Sequence, residues 1–330
     1  MRGLARGLPE QLTAGFELGS ERAPPSKSVR SVVVSGMGGS GIAGQVLRPL
    51  IDQETSVRYH VTDGPSIPQG VGPKDLVVLL SYSGNTWETL GAYRAAAARG
   101  ASRVVITSGG ELGSRARRDR VGVVTVPPGL PPRAAFGYLF GGLLGVVDNG
   151  FLRTNADRLQ AAARYLRYRQ PKWAGASGLP LRLARRMGTR TPTIYGDLTL
   201  FAPARRWKTQ IEENAKRLAH ADLLPEAFHN AIVGWDAISR EGAREVVAVF
   251  LDWPGSEPAV RDGADYLGRL IVRRGAVAET VDVESEDRLV ALLSAISLGD
   301  HVSLALAEEG GVDPFPYEAI TRLKHALARR

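Results

Sequence analysis

The sequence predicts an α/β protein with parallel sheets, arranged as two successive modules. Three observations carry that expectation. Short apolar runs alternate with helical patterns along the chain. Two of the earliest runs break into sharp Gly/Ser turns that open helices: Gly36 to Gly44 and Ser81 to Thr86. The same strand-then-helix alternation starts again near residue 191. Strands separated by helices form sheets covered on both faces, with the ligand crevice at the carboxyl ends of the strands.

In chain order, the first 30 residues read as a helix and a Pro/Ser linker, Ala23-Pro24-Pro25-Ser26. Strands are expected at 31–36, 56–61, 75–80, 102–107 and 122–126, and helices at 41–50, 85–99 and 111–118. The stiff stretch Val126-Pro127-Pro128-Gly129-Leu130-Pro131-Pro132-Arg133 leads into a helix over 134–149. Helices at 154–169 and 178–188 follow. Strands at Thr191–Gly196, Glu245–Trp253 and Ala278–Val283 then alternate with helices at 203–220, 258–274, 287–309 and 316–328. The implied domains are 1–150 and 151–330.

The turn at 81–86 places Ser81, Ser83 and Thr86 between an apolar run and a helix, with Gly84 letting the backbone bend. Asn85 followed by Glu88 has the spacing of a capping box. Free amides at a helix N-terminus, joined by hydroxyls, suit a phosphate ester. The alternative is an ordinary capped strand-to-helix turn. Gly36, Gly38 and Gly41 meet the bare spacing of a dinucleotide fingerprint, yet the acidic residue expected about 20 residues on would fall near Arg58 to Val61, and Asp63 is the only late candidate. No Gly-Lys-Ser/Thr of a P-loop follows either. Two such turns, one after each of two strands, point to a sugar phosphate held between them rather than a dinucleotide.

The chain has 330 residues, 44% hydrophobic and 23% charged, with formal net charge +8 and no cysteine. Disulfides and thiolate metal sites are thereby excluded. Five scattered histidines form no His-Glu-x-x-His pair, so no metal or cofactor is expected. The arginines are dispersed with few aromatics among them, which suits small anions better than nucleic acid. The N-terminus lacks the apolar core of a signal peptide, and the apolar run from Ala134 to Val147 is too short and Gly-rich to span a bilayer. A cytoplasmic protein without membrane contact is expected.

Three further residues admit two readings each. Arg133 is either a solvated loop charge or a rigidly braced guanidinium over a charged substrate. Glu213 lies off the stripe of Trp207, Ile211, Ala215 and Leu218. It is either a surface carboxylate paired with Arg217 or a functional acid. His229 is either an ordinary surface histidine or part of a site.

Four motifs in order carry a family pattern: Gly36-Met37-Gly38-Gly39-Ser40-Gly41, Ser81-Tyr82-Ser83-Gly84-Asn85-Thr86, Glu212-Glu213-Asn214-Ala215-Lys216 and Glu226-Ala227-Phe228-His229-Asn230. From about residue 30 to 325 the chain resembles the archaeal-type bifunctional phosphoglucose/phosphomannose isomerases of the sugar-isomerase-domain superfamily. The resemblance implies two flavodoxin-like αβα domains, a homodimer and interconversion of hexose 6-phosphates without metal. It implies that Gly39, Ser40, Ser81, Ser83 and Thr86 hold the phosphate and that Glu213 is the catalytic base. His229 would assist ring opening from the partner subunit, Arg133 would stabilise charge near C1–C2, and Lys324 would contact the ring oxygen. The segment Asp313-Pro314-Phe315-Pro316-Tyr317 departs from relatives that carry a small polar residue there. A sugar-phosphate-binding regulatory protein on the same fold is the alternative; it would need the Ser/Thr turn but not Glu213, His229 and Lys324.

Overall fold

The computed structural model describes residues 1–22, 29–148, 155–175 and 177–328. The expected linker at 23–26 lies outside them. Two parallel sheets form the frame. The first contains β1 (Ser31–Gly36), β2 (Arg58–Thr62), β3 (Asp75–Leu80), β4 (Ser102–Thr107) and β5 (Gly122–Thr125), in the order β2-β1-β3-β4-β5. The second contains β6 (Thr191–Gly196), β7 (His220–Leu223), β8 (Val246–Asp252) and β9 (Val277–Asp282), in the order β7-β6-β8-β9. Each order reverses beside its first strand, which opens a crevice between β1 and β3 and another between β6 and β8. The α/β expectation holds in both halves.

β1 and β3 are buried at every position, as their uninterrupted Val/Leu runs require of strands covered on both faces. At their amino ends Asp75 fixes the register of the first sheet. It accepts from Arg30 Nε at 3.0 Å, Ser31 Oγ at 2.7 Å and the Gly72 amide at 2.8 Å. The Arg30 hydrogen bond, with help from Ser31 and Gly72, lowers the Asp75 carboxyl to about 2 against the cost of burial.

Two short N-terminal helices, α1 (Arg2–Arg6) and α2 (Leu8–Ser20), precede the first sheet, and α3 (Gly38–Glu54), α4 (Trp87–Ala98) and α5 (Gly110–Arg118) connect its strands. A 3₁₀ turn, Pro132–Ala134, leads into α6 (Phe136–Asp148). α6 packs against α2 at backbone contact: a Cβ on Gly141 would collide with the Leu12 carbonyl. Next come α7 (Asn155–Trp173) and α8 (Leu179–Met187). The second half adds α9 (Phe201–Ala215), a 3₁₀ turn at Glu226–His229, α10 (Ala231–Ala237), α11 (Arg240–Arg244), α12 (Pro258–Arg273), α13 (Arg288–Glu309) and α14 (Glu318–Ala328). α13 has the length and apolarity to cross a membrane, but its apolar stretch is wholly buried and forms the central helix against which α9, α8 and α7 pack.

Several expectations need correction. The helix expected over 203–220 stops at Ala215, because Lys216 adopts the left-handed conformation with φ 56°. Leu218 therefore leaves the apolar stripe and is 75% exposed. His220–Leu223 then forms the edge strand β7, which the sequence reading missed. Arg217 does not pair with Glu213; it donates to the carbonyls of Gly188 (2.6 Å) and Arg190.

Candidate active site

The crevice of the first sheet is lined by the turns that follow β1 and β3. Gly41 packs so closely on the Gly36 carbonyl that no side chain fits, which sets the tight entry into α3. Across the crevice, Ser40 Oγ accepts from the Tyr82 amide at 3.4 Å and ties the two turns together. Gly84, at φ +69°, turns the second loop, and any side chain on it would collide with Gly109 O.

The hydroxyls of the second turn converge. Ser81 Oγ lies 2.9 Å from Thr86 Oγ1 and accepts from the Gly84 amide at 3.1 Å; Ser83 Oγ accepts from the Asn85 amide at 3.3 Å. Thr86 occupies the N-cap of α4 but its side chain does not cap the helix. The expected capping box with Asn85 and Glu88 does not form. α4 starts at Trp87, and Asn85 Oδ1 instead accepts from the Glu111 amide at 3.0 Å, at the start of α5. The first amides of α4 thus carry no side-chain cap, which keeps that helix end available to an anion.

Arg133 stands beside this crevice. A Cβ placed on Gly39 would lie 3.6 Å from Arg133 Cα. The guanidinium is buried, with a residue exposure of 3%, so it is not a solvated loop charge. It reaches into the second half of the chain. Nε donates to Asn214 Oδ1 at 2.9 Å, Nη2 donates to the carbonyls of Pro314 (2.5 Å) and Phe315 (3.2 Å), and Nη1 lies 3.5 Å from Glu213 Oε2. Chiefly burial lowers its pKa, opposed by Glu213.

Glu213 sits in the last turn of α9 and keeps 30% of its side chain exposed. Its carboxyl is raised above the usual carboxylate range by burial; Arg133, Arg206 and Lys216 pull it back. Lys216, whose left-handed backbone ends the helix, donates to the carbonyls of Glu213 and Pro316, each at 2.5 Å. The Asp313–Tyr317 segment is thereby held against both cations, with the Tyr317 ring centroid 5.7 Å from the Arg133 guanidinium carbon.

The chain therefore brings Gly39, Ser40, Ser81, Ser83 and Thr86 into one crevice and sets the Arg133–Glu213 pair at its flank. It does not bring His229 there. His229 is exposed at the end of its 3₁₀ turn, and among the described residues no hydrogen bond or ion pair links it to Glu213 or Arg133. Lys324 falls in α14, but its side chain lies outside the described residues. Among the described residues, no three His, Asp or Glu side chains cluster as a metal site would require. Sequence reading missed the groups that hold Arg133: Asn214, Arg206 and Asp300. Asp300 could have been found as a charge stranded inside the apolar stretch of α13, where burial demands a partner.

Two sheets of this order, with a serine-lined turn at the switch point of the first, define a double sugar-isomerase-domain protein. Family models agree: residues 27–121 match the "SIS domain" and residues 178–327 match the "Bacterial phospho-glucose isomerase C-terminal SIS domain". A protein of Thermus thermophilus superimposes with a TM-score of 0.75 at 17% identity, covering 98% of this chain and 89% of that one, a likeness of fold. The chain is 37% identical over 333 residues to the bifunctional phosphoglucose/phosphomannose isomerase of Caldicellulosiruptor bescii, covering 97% of each. It is also 33% identical over 215 residues to the D-glucosamine-6-phosphate 4-epimerase of Sulfolobus acidocaldarius, covering 64% of this chain and 66% of that one. The chain belongs to the bifunctional phosphoglucose/phosphomannose isomerase family.

Proposed function

We propose that this protein interconverts glucose 6-phosphate, fructose 6-phosphate and mannose 6-phosphate by proton transfer through a cis-enediol. One observation supports this above the rest: a half-buried carboxylate, Glu213, paired with a buried guanidinium, Arg133, that abuts the serine-lined crevice. The crevice holds the phosphate through Ser40, Ser81, Ser83, Thr86 and the start of α4. That binding, remote from C1, aligns the open-chain sugar. Glu213 removes the proton beside the carbonyl and returns it to the neighbouring carbon, while the hydroxyl proton of the cis-enediol passes from one of its two oxygens to the other. Arg133, itself buried and fixed by its partners, stabilises the enediolate charge as it develops. A carboxyl raised by burial is a stronger base once ionised, so its elevated pKa suits the task.

Ring opening needs a proton moved between the ring oxygen and a hydroxyl. Lys324 and His229 are the groups we assign to it, His229 reaching the site from the partner in a homodimer. Its exposure within one chain fits that role. Exposed Phe315, Tyr317, Ile320 and Leu323 supply an apolar surface on the same C-terminal segment that a second copy would cover. We place the two domains at 1–150 and 151–330, with Arg133 crossing between them, and the protein in the cytoplasm.

The test is a coupled assay of purified protein with each of the three hexose phosphates and with glucosamine 6-phosphate. Fructose 6-phosphate should form from both glucose and mannose 6-phosphate, and turnover should survive a chelator. A 4-epimer from glucosamine 6-phosphate, without aldose–ketose exchange, would transfer the reading to the epimerase relative. Glu213→Gln should lower kcat by about 10²- to 10⁴-fold with KM nearly kept. Near-normal turnover would remove Glu213 from the mechanism.

A further inference from the structure

We propose that Arg206 and Asp300, with Gln210, Asn214 and Ser303, form a buried shelf that positions Arg133 for the reaction. The proposal rests on the isomerase reading above. α9 presents Arg206, Gln210 and Asn214 at four-residue spacing, so all three lie on one face, turned toward α13. α13 answers with Asp300 and Ser303, three residues apart.

Arg206 makes a two-pronged ion pair with Asp300, Nε to Oδ1 at 2.9 Å and Nη2 to Oδ2 at 2.7 Å. The same Nη2 donates to the Arg133 backbone carbonyl at 3.1 Å. Its guanidinium carbon stands 4.6 Å from the Phe136 ring centroid, at the start of the helix Arg133 leads into. Gln210 Nε2 adds a bond to Asp300 Oδ1 at 2.8 Å. A second arm grips the Arg133 side chain. Asn214 accepts from its Nε while donating to Ser303 Oγ at 2.9 Å, and Ser303 donates to the Asp300 carbonyl at 2.7 Å. The residues of both arms are buried.

The shelf therefore holds Arg133 by main chain and by side chain, leaving Nη1 directed at Glu213. A guanidinium fixed at two points loses little freedom when charge develops beside it, the condition for electrostatic preorganisation. Charge is balanced as well. Arg133 and Arg206 face Glu213 and Asp300, two cations against two carboxylates, with Lys216 and Glu212 at the edge of the group. A planar fork grips both oxygens of Asp300 and the Arg133 carbonyl in one fixed geometry; a lysine ammonium at 206, a point charge on a shorter flexible stem, does not reproduce it.

Two variants separate geometry from charge. Arg206→Lys keeps the charge and loses the fork: kcat should fall about 10-fold or more with KM within about 3-fold and the acid limb of the pH profile unmoved. Asp300→Asn keeps the shape and removes the anion. Arg206 is then uncompensated, Glu213 ionises more readily, and the acid limb should move to lower pH by about half a unit or more. Both are measured on protein whose circular dichroism matches the unaltered chain. Should Asp300→Asn not fold, Ser303→Ala removes the Asn214 anchor with little change of volume and should lower kcat while sparing KM. Folded Arg206→Lys with unaltered kcat, or an unmoved acid limb in folded Asp300→Asn, overturns the shelf. Absence of isomerisation in the unaltered protein would instead overturn the reading on which it rests.

Discussion

The two sheets end in crevices of the same construction and opposite content. β1 and β6 are each six residues long, close on a glycine (Gly36, Gly196) and run beside the third strand of their unit. After Gly36 the chain continues with Met37, and hydroxyls line the turn from the neighbouring strand. After Gly196 it continues with Asp197, whose carboxylate fills the equivalent place. Oδ1 accepts from the amides of Thr199 (3.0 Å) and Leu200 (2.7 Å), just before α9. Oδ2 accepts from Trp253 Nε1 and Ser256 Oγ, each at 2.9 Å, on the loop after β8. The first crevice leaves the start of α4 without a side-chain cap, open to an anion under the proposed function, while the second satisfies its donors with a carboxylate of its own. The second unit is thereby freed to supply Glu213, Asn214 and the shelf on α9 and α13 to the first unit's crevice.

The comparison breaks most sharply if the first crevice is filled as the second is. Met37→Asp places a carboxylate at the position matching Asp197, where it would compete with substrate phosphate. Like charges brought together without solvent cost several kcal/mol. KM for hexose 6-phosphate should therefore rise about 100-fold or more, in a protein that still folds because Met37 is partly exposed. An unchanged KM would mean that the phosphate does not bind at the β1 turn.

The reverse change reads out as stability. Asp197→Ala strands the Trp253 indole N–H and two backbone amides in a buried place, and unpaired buried donors cost about 1–3 kcal/mol each when no water reaches them. A loss of about 3 kcal/mol or more is expected, measured by urea unfolding, with KM on the surviving folded protein nearly unaltered. A folded variant with full stability would show that the carboxylate only decorates the crevice.

Much of this contrast was readable in advance. The strands of the first sheet announce themselves because parallel strands covered on both faces must be apolar throughout, and Val32–Val34 and Val77–Leu80 are. The serine turns and Glu213 were visible as local motifs. What escaped was set by contacts between distant segments. β7 is a four-residue edge strand, His-Ala-Asp-Leu, with no β-rich composition to mark it. α9 ends at a left-handed lysine where a glycine would have signalled the stop. Asn85 has the spacing to cap its own helix but spends its side-chain oxygen on the next one. Arg133 and Asp300 acquire meaning only when α9 and α13 pack, joining residues 94 positions apart in the Arg206 bond. Asp197 reads in sequence as a common turn residue, and only the loop after β8 reveals it as a filled anion site.

The smallest effects give the finest test, because one deletion can be made in both crevices. Thr86 and Ser256 each lend a hydroxyl to the anion position of their unit, Thr86 through its 2.9 Å contact with Ser81 and Ser256 through its bond to Asp197. Removing either oxygen forfeits a hydrogen bond worth about 1 kcal/mol net. In Ser256→Ala that bond exists in the folded protein before any substrate arrives, so the loss falls on unfolding free energy and leaves KM alone. In Thr86→Ala the Ser81 contact goes as well, so stability falls by a similar small amount, but under the proposed function the hydroxyl also meets the incoming phosphate, so KM should rise about 5-fold. Kinetics and urea unfolding on the two variants together then differ in affinity, which only Thr86→Ala loses. If both lose stability and neither loses affinity, the first crevice is as closed to ligands as the second, and the division of labour between the two units fails.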